Sequence, residues 1–123
     1  LALPSVKAAD ATVTVLNYDT PSYTGLRYPT RKYYPTWEMP ADGIEMQTAI
    51  AAHKSAFGEE PEIGHWTFST NGVAIAGMHG IPAIGFGPGH EHFAHAPNEQ
   101  TEIEHLVRCA AYYAALVDEF AKA

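Results

Sequence analysis

The sequence predicts an α/β fold, with helices packed on a mainly parallel sheet. Three observations carry that prediction. After Pro40 the apolar periodicity switches between helical and extended, giving the order α-β-α-β-loop-α. A short apolar run, Ile81 to Phe86, has the character of a buried strand and opens into a loop holding Gly85, Gly87 and Gly89. The loop leaves through three histidines and an Asn-Glu pair into a final helix, which is where α/β proteins carry their chemistry.

In chain order, Leu1 to Asp10 reads as a helix end or a loop. It is Ala-rich and opens without methionine, so the chain is expected to be a piece of a longer polypeptide. Ala11 to Tyr18 (A-T-V-T-V-L-N-Y) alternates and is β-branched, predicting a half-buried strand with Val13 and Val15 on one face and Thr12 and Thr14 on the other. Asp19 to Gly25 is a turn. Leu26 to Met39 is rich in Tyr, Arg and Trp, and Pro29 and Pro35 restrict it to an edge strand or an extended crossing segment. The composition changes at Pro40, so residues 1–40 and 41–123 are expected to belong to different domains.

Asp42 and Glu45 begin a helix in the manner of a capping box. Met46, Ala49, Ile50, His53 and Phe57 recur along it, and Gly58 ends it. Glu62 to Phe68 is the next strand, Ser69 to Gly72 a tight turn, and Val73 to Met78 a short helical segment. The last helix is expected from Thr101, with Glu104 closing a capping box, to about Lys122. Its buried stripe would be Ile103, Leu106, Val107, Ala110, Ala114 and Val117.

Composition narrows the functional classes. Hydrophobic residues make up 46% and charged residues 17%, ordinary values for a globule with a core. Seven basic residues against fourteen acidic ones leave a net charge of -7, which argues against nucleic acid and anionic membrane as partners. No apolar run approaches the roughly 18 residues of a membrane span. A single cysteine, Cys109, excludes an internal disulfide and fits a reducing cytoplasm.

The glycines of the loop let backbone approach a ligand closely and leave N–H groups free for a negative oxygen, while Pro88 stiffens the turn without donating. A dinucleotide fingerprint would open a helix directly, and here the helix comes about a dozen residues later, so that function is rejected. His90, His92 and His95 are either solvated loop residues or metal ligands. His95 stands out because it precedes Pro97, Asn98 and Glu99 at a helix start. Ser69, Thr70 and Asn71 sit where side-chain oxygens cap a helix and backbone N–H groups are free. His53, His65, His79 and His105 read as structural, and Cys109, in mid-helix, as inert. One alternative needs no further ligands: a stand-alone, non-enzymatic module whose His90, His92 and His95 together capture a divalent metal or a small anion.

Three motifs in order carry a family likeness: W-T-F-S-T-N-G (Trp66 to Gly72), G-I-P-A-I-G-F-G-P-G (Gly80 to Gly89) and A-H-A-P-N-E (Ala94 to Glu99). Together they resemble the carboxy-terminal part of the zinc aminoacylase family, which includes acetylornithine deacetylase, succinyl-diaminopimelate desuccinylase and carboxypeptidase-G-type enzymes. Within it the sequence is most similar to the hydrolases linked to selenium metabolism. The resemblance implies that residues 1–40 end a small α+β lid and dimerisation domain, and that residues 41–123 are the carboxy-terminal part of a zinc-exopeptidase-like catalytic domain. It implies amide hydrolysis of an N-acyl amino acid or dipeptide-like substrate, with one or two zinc ions that cobalt or manganese can replace, and a homodimer.

By the same resemblance His95 is a metal ligand, and Asn98 and Glu99 orient it. Ser69, Thr70, Asn71, Gly87, Pro88 and Gly89 flank the substrate and hold its carboxylate, with Arg27 or Arg31 as a positive group from the lid. The family's H-x-D pair, bridging Asp and Glu-Glu pair lie upstream and have no counterpart here. Glu59-Glu60, just before Pro61, is in the wrong context. No catalytic base is therefore expected in this chain, which by itself should be inactive and depend on the remainder of its polypeptide.

Overall fold

Small side chains on one face of each of two helices let them approach closely, and this helix pair is the frame of the larger part of the protein. The structure, a computed structural model, describes residues 3–9 and 11–123. Leu1, Ala2 and Asp10, part of the expected helix end, lie outside the described residues. The chain forms two compact units, the first ending at Tyr34 and the second running from Pro35 to Ala123. Among the described residues no helix is long and apolar enough to cross a membrane.

In the first unit, α1 (Pro4–Ala8) is a short helix started by its proline. β1 (Asn17–Tyr18) and β2 (Thr30–Arg31) pair antiparallel, with Asn17 opposite Arg31 and Tyr18 opposite Thr30. The Lys32 N–H extends the ladder to the Leu16 carbonyl at 2.7 Å. The strand expected over Ala11 to Tyr18 is thus cut to two residues, and Val13 is 74% exposed. Alternation alone does not make a strand half-buried; it needs a surface to face, and a two-stranded ribbon supplies little. Lys32 lies over the Tyr18 ring and Arg31 over the Tyr33 ring, at 5.6 and 5.2 Å from the centroids.

In the second unit, α2 (Ile44–Phe57) and α3 (Ile103–Phe120) pack against each other. Neither expected capping box forms. Gly43 and Glu102 occupy the N-cap positions, and neither helix start has a side-chain cap. The end of α2 follows expectation, because Gly58 takes the left-handed conformation (φ 72°) and its N–H reaches the Lys54 carbonyl at 2.8 Å. Thr48, Ala49, Ala52 and His53 of α2 are buried, with Cys109 and Tyr112 of α3. His53 donates from Nδ1 to the Glu59 carbonyl at 3.0 Å and meets Phe57 edge-on at 4.8 Å, a structural role as expected.

The stripe predicted to be the buried face of α3 faces outward instead: Val117 is 70% exposed and Ile103 78%. The helix is apolar on two sides, and the side that meets α2 is the one bearing Cys109 and Tyr112. Periodicity identifies an apolar face but not which neighbour it meets.

The mainly parallel sheet is not formed among the described residues, where the β1–β2 pair is the sole strand pairing. Glu62 to Phe68 and Ile81 to Phe86 have no ladder partner. The second segment is held by side chains. Trp37 donates its indole N–H to the Ala83 carbonyl at 3.1 Å, the Tyr113 hydroxyl donates to the Phe86 carbonyl, and the Phe86 ring stacks on Tyr112 at 3.9 Å. Val73–Met78 is a single π-helical turn, closed by His79 N–H on the Ala74 carbonyl at 3.2 Å.

The same Trp37 ring lies against Gly72, where an added Cβ would overlap Cη2 and Cζ2 of the indole. Gly72→Ala must therefore displace the indole and strain its bond to Ala83. We expect a loss of about 1–3 kcal/mol in chemical denaturation; an unchanged unfolding midpoint would refute the packing described.

Candidate functional site

The glycine loop starts where Phe86 is clamped, so its position follows from the core. Gly87, Pro88 and Gly89 line an open cleft of about 270 Å³. It is also lined by Trp66, Phe68 and Thr70, by His90 and Glu91, and by residues 99–101. Aromatic rings beside a few polar groups are the composition of a small-molecule site.

Of the residues singled out in the sequence, Thr70, Gly87, Pro88, Gly89, His90 and Glu99 line this cleft. Thr70 Oγ1 accepts the Gly72 N–H at 3.1 Å, which caps the turn and leaves the hydroxyl proton free. The Asn71 carbonyl accepts the N–H groups of Ala74 and Ile75, so Asn71 starts the π-helical turn through its backbone. Ser69, Asn71 and His95 are not among the lining residues. Arg27 lies in the first unit, where its guanidinium donates to the Asp19 carbonyl at 2.8 Å and pairs with the Asp19 carboxylate at 3.4 Å.

Gly89 adopts φ 98°, and its N–H does not face open space: it donates to His105 Nδ1 at 3.2 Å. Among the described residues the Gly87 N–H has no hydrogen-bond partner, and Pro88 has no N–H to offer. A second pair of amides already holds a carboxylate. Glu91 Oε1 accepts from the Thr67 N–H and, at 3.0 Å, from the Phe68 N–H, tying the histidine loop to the Trp66 to Asn71 segment. Nothing in the spacing of Glu91 announced that role.

The three loop histidines do not converge. His92 stacks on His90 at 5.4 Å between centroids, while His95 sits edge-on to Phe68 at 5.1 Å. His90 instead joins Glu102 and His105, and among the described residues these form the one group of three side chains with ligand atoms close enough to share a metal ion. His105, expected to be structural, therefore stands beside the cleft. Cys109 is buried, and burial pushes its thiol up and away from the reactive thiolate.

His95 is exposed, and among the described residues neither of its ring nitrogens has a hydrogen-bond partner. Its backbone is in the left-handed region at φ 60°, as is Asn98 at φ 62°. The Glu99 carboxylate accepts the His95 N–H at 3.3 Å and holds this turn. A histidine with a positive φ stores strain, and such residues concentrate at functional sites. Ala94 and Glu99, on either side of it, line the cleft.

A family model described as peptidase family M20/M25/M40 matches residues 7–119. Two relatives, each carrying the name "Uncharacterized protein YgeY", come from Escherichia coli strain K12 and Escherichia coli O157:H7. Each is 56% identical over 115 residues, covering 94% of this chain and 28% of the relative. The chain thus spans under a third of the length of the curated relatives it matches. No solved structure matches it.

The strain at His95 has a measurable signature. Glycine relieves a left-handed residue where alanine does not, so His95→Gly should be more stable than His95→Ala by about 1 kcal/mol. Equal denaturation midpoints for the two variants would show that the turn is unstrained.

Proposed function

Because the chain belongs to the peptidase family M20/M25/M40, we propose that it is part of a metal-dependent hydrolase that cleaves the amide bond of an N-acyl amino acid or dipeptide-like substrate. The observation that carries this reading is His95: exposed, with unpartnered ring nitrogens, held in a strained turn between two residues of the cleft wall. A neutral imidazole in that setting is suited to a divalent metal. The donor set fits zinc in part, as one ligand of several, with cobalt or manganese as substitutes. When bound, the metal supplies Lewis acidity toward the amide carbonyl and activates the attacking water.

The chain's own residues then bind and orient. The Gly87 N–H and the Thr70 hydroxyl proton are the donors offered to a substrate carboxylate in the cleft. Trp66 and Phe68 provide apolar walls and exclude water from the acyl group. Glu99 keeps the His95 turn in place through the backbone and is not the proton acceptor. The base and the other metal ligands come from the rest of the polypeptide, in keeping with the 28% coverage of the relatives.

The outward apolar stripe of α3 and the unpaired segments 62–68 and 81–86 support the same reading, since a larger catalytic domain would cover the one and pair the other into the mainly parallel sheet. The likeness to selenium-linked hydrolases, the lid and the homodimer belong to this proposal through the motifs alone.

In the full-length protein, His95→Ala should lower metal affinity and the turnover of N-acyl amino acids by on the order of 100-fold or more, beyond the effect of losing an outer-shell partner. Elemental analysis and an amidase assay check this. Unchanged metal content with unchanged turnover would overturn the assignment.

A further inference from the structure

Beyond His95, a second set of donors is assembled next to the glycine loop. We propose that His90, Glu102 and His105 bind a divalent transition-metal ion, with zinc as the first candidate, at a site separate from His95. Glu102 and His105 are three residues apart at the start of α3 and so share one face of the helix. His90 is in extended backbone (φ -118°, ψ 131°) just before the short 3₁₀ turn Glu91–Phe93, which brings its ring back toward that face. His90 Nε2 is 3.6 Å from Glu102 Oε1, and His105 Nε2 is 3.8 Å from Glu102 Oε2. All three donor atoms lie within 4.8 Å of one another.

Those separations suit an ion. Donors bonded tetrahedrally to zinc at about 2.0–2.1 Å stand roughly 3.4 Å apart, so the two distances to the Glu102 carboxylate need contract by only a few tenths of an ångström, and closure of the whole set, now within 4.8 Å, needs rotation of these exposed side chains. Two imidazoles and one carboxylate are ligands that zinc and its neighbours favour, and three donors leave positions open to water. The side chains of His90, Glu102 and His105 are 49%, 65% and 29% exposed, so an ion has a direct path in.

The cluster is also wired to the loop. The Gly89 N–H donates to His105 Nδ1, so in the absence of metal the neutral ring carries its proton on Nε2 and points it at Glu102. Ligation through Nε2 requires that proton to leave that nitrogen and Nδ1 to take one up from solvent, after which Nδ1 no longer accepts from Gly89. One long backbone hydrogen bond is a small loss against three ligand bonds. The inference stands on these three residues and does not depend on the hydrolase reading.

The test is zinc binding to the full-length protein by equilibrium dialysis, with His90→Gln, Glu102→Gln and His95→Ala beside the parent. The result expected is loss of one zinc equivalent in both His90→Gln and Glu102→Gln, while His95→Ala keeps that equivalent. Zinc stoichiometry and affinity equal to the parent in both would overturn the proposal, whatever His95→Ala does. Should Glu102→Gln fail to fold, His90→Gln, altered in a solvent-exposed loop, decides alone. The visible absorption of added cobalt reports the same site: an altered spectrum in His90→Gln supports it and an unaltered one refutes it.

Discussion

Phe86 lies nearly flat on Tyr112, with ring centroids 3.9 Å apart, and this stack fixes where the glycine loop begins. Tyr112 is buried on α3 against α2, so the helix pair is the anchor and Phe86 is the point at which the extended segment is fastened to it. An aromatic pair of this kind contributes about 0.5–1.5 kcal/mol beyond the area it buries. The Tyr113 hydroxyl, bonded to the carbonyl of the same Phe86, aligns the backbone that enters Gly87. Without these contacts the start of the loop would lose its anchor on α3, leaving the Gly89 to His105 hydrogen bond to hold its far end beside the cleft and the His90 cluster.

The elements legible in the sequence are those set by local chemistry. Gly58 ends α2 because only glycine takes φ 72° without cost, and the recurrence of Met46, Ala49, Ile50, His53 and Phe57 marks a helix whatever surrounds it. Elements that depend on a partner were not legible. Ile81 to Phe86 has the composition of a strand, but strand pairing is a property of two segments, and its carbonyls go to Trp37 and Tyr113, 46 and 27 residues away from their acceptors. The two-sided apolar character of α3 hid its buried face for the same reason: the pattern says that two neighbours are wanted, not which one lies on which side.

The site divides similarly. The motif around His95 was readable as a ligand setting, and the structure adds what no motif states, that the backbone is left-handed there and at Asn98. The role of His105 was hidden because its partners come from a loop fifteen residues earlier and from its own helix start. The three histidines that crowd the sequence between 90 and 95 serve different neighbours: one faces Glu102, one stacks on the first, and one stands against Phe68. Proximity along the chain is a poor guide to convergence where a 3₁₀ turn and a left-handed residue intervene.

The most direct measurement is anomalous X-ray diffraction at the zinc edge from crystals of the full-length protein grown with zinc. The account predicts an anomalous peak at bonding distance, about 2.0–2.1 Å, from a ring nitrogen of His95. Zinc bound in the protein with none of it touching His95 would contradict the central claim, that this imidazole is the chain's contribution to a metal-dependent hydrolase.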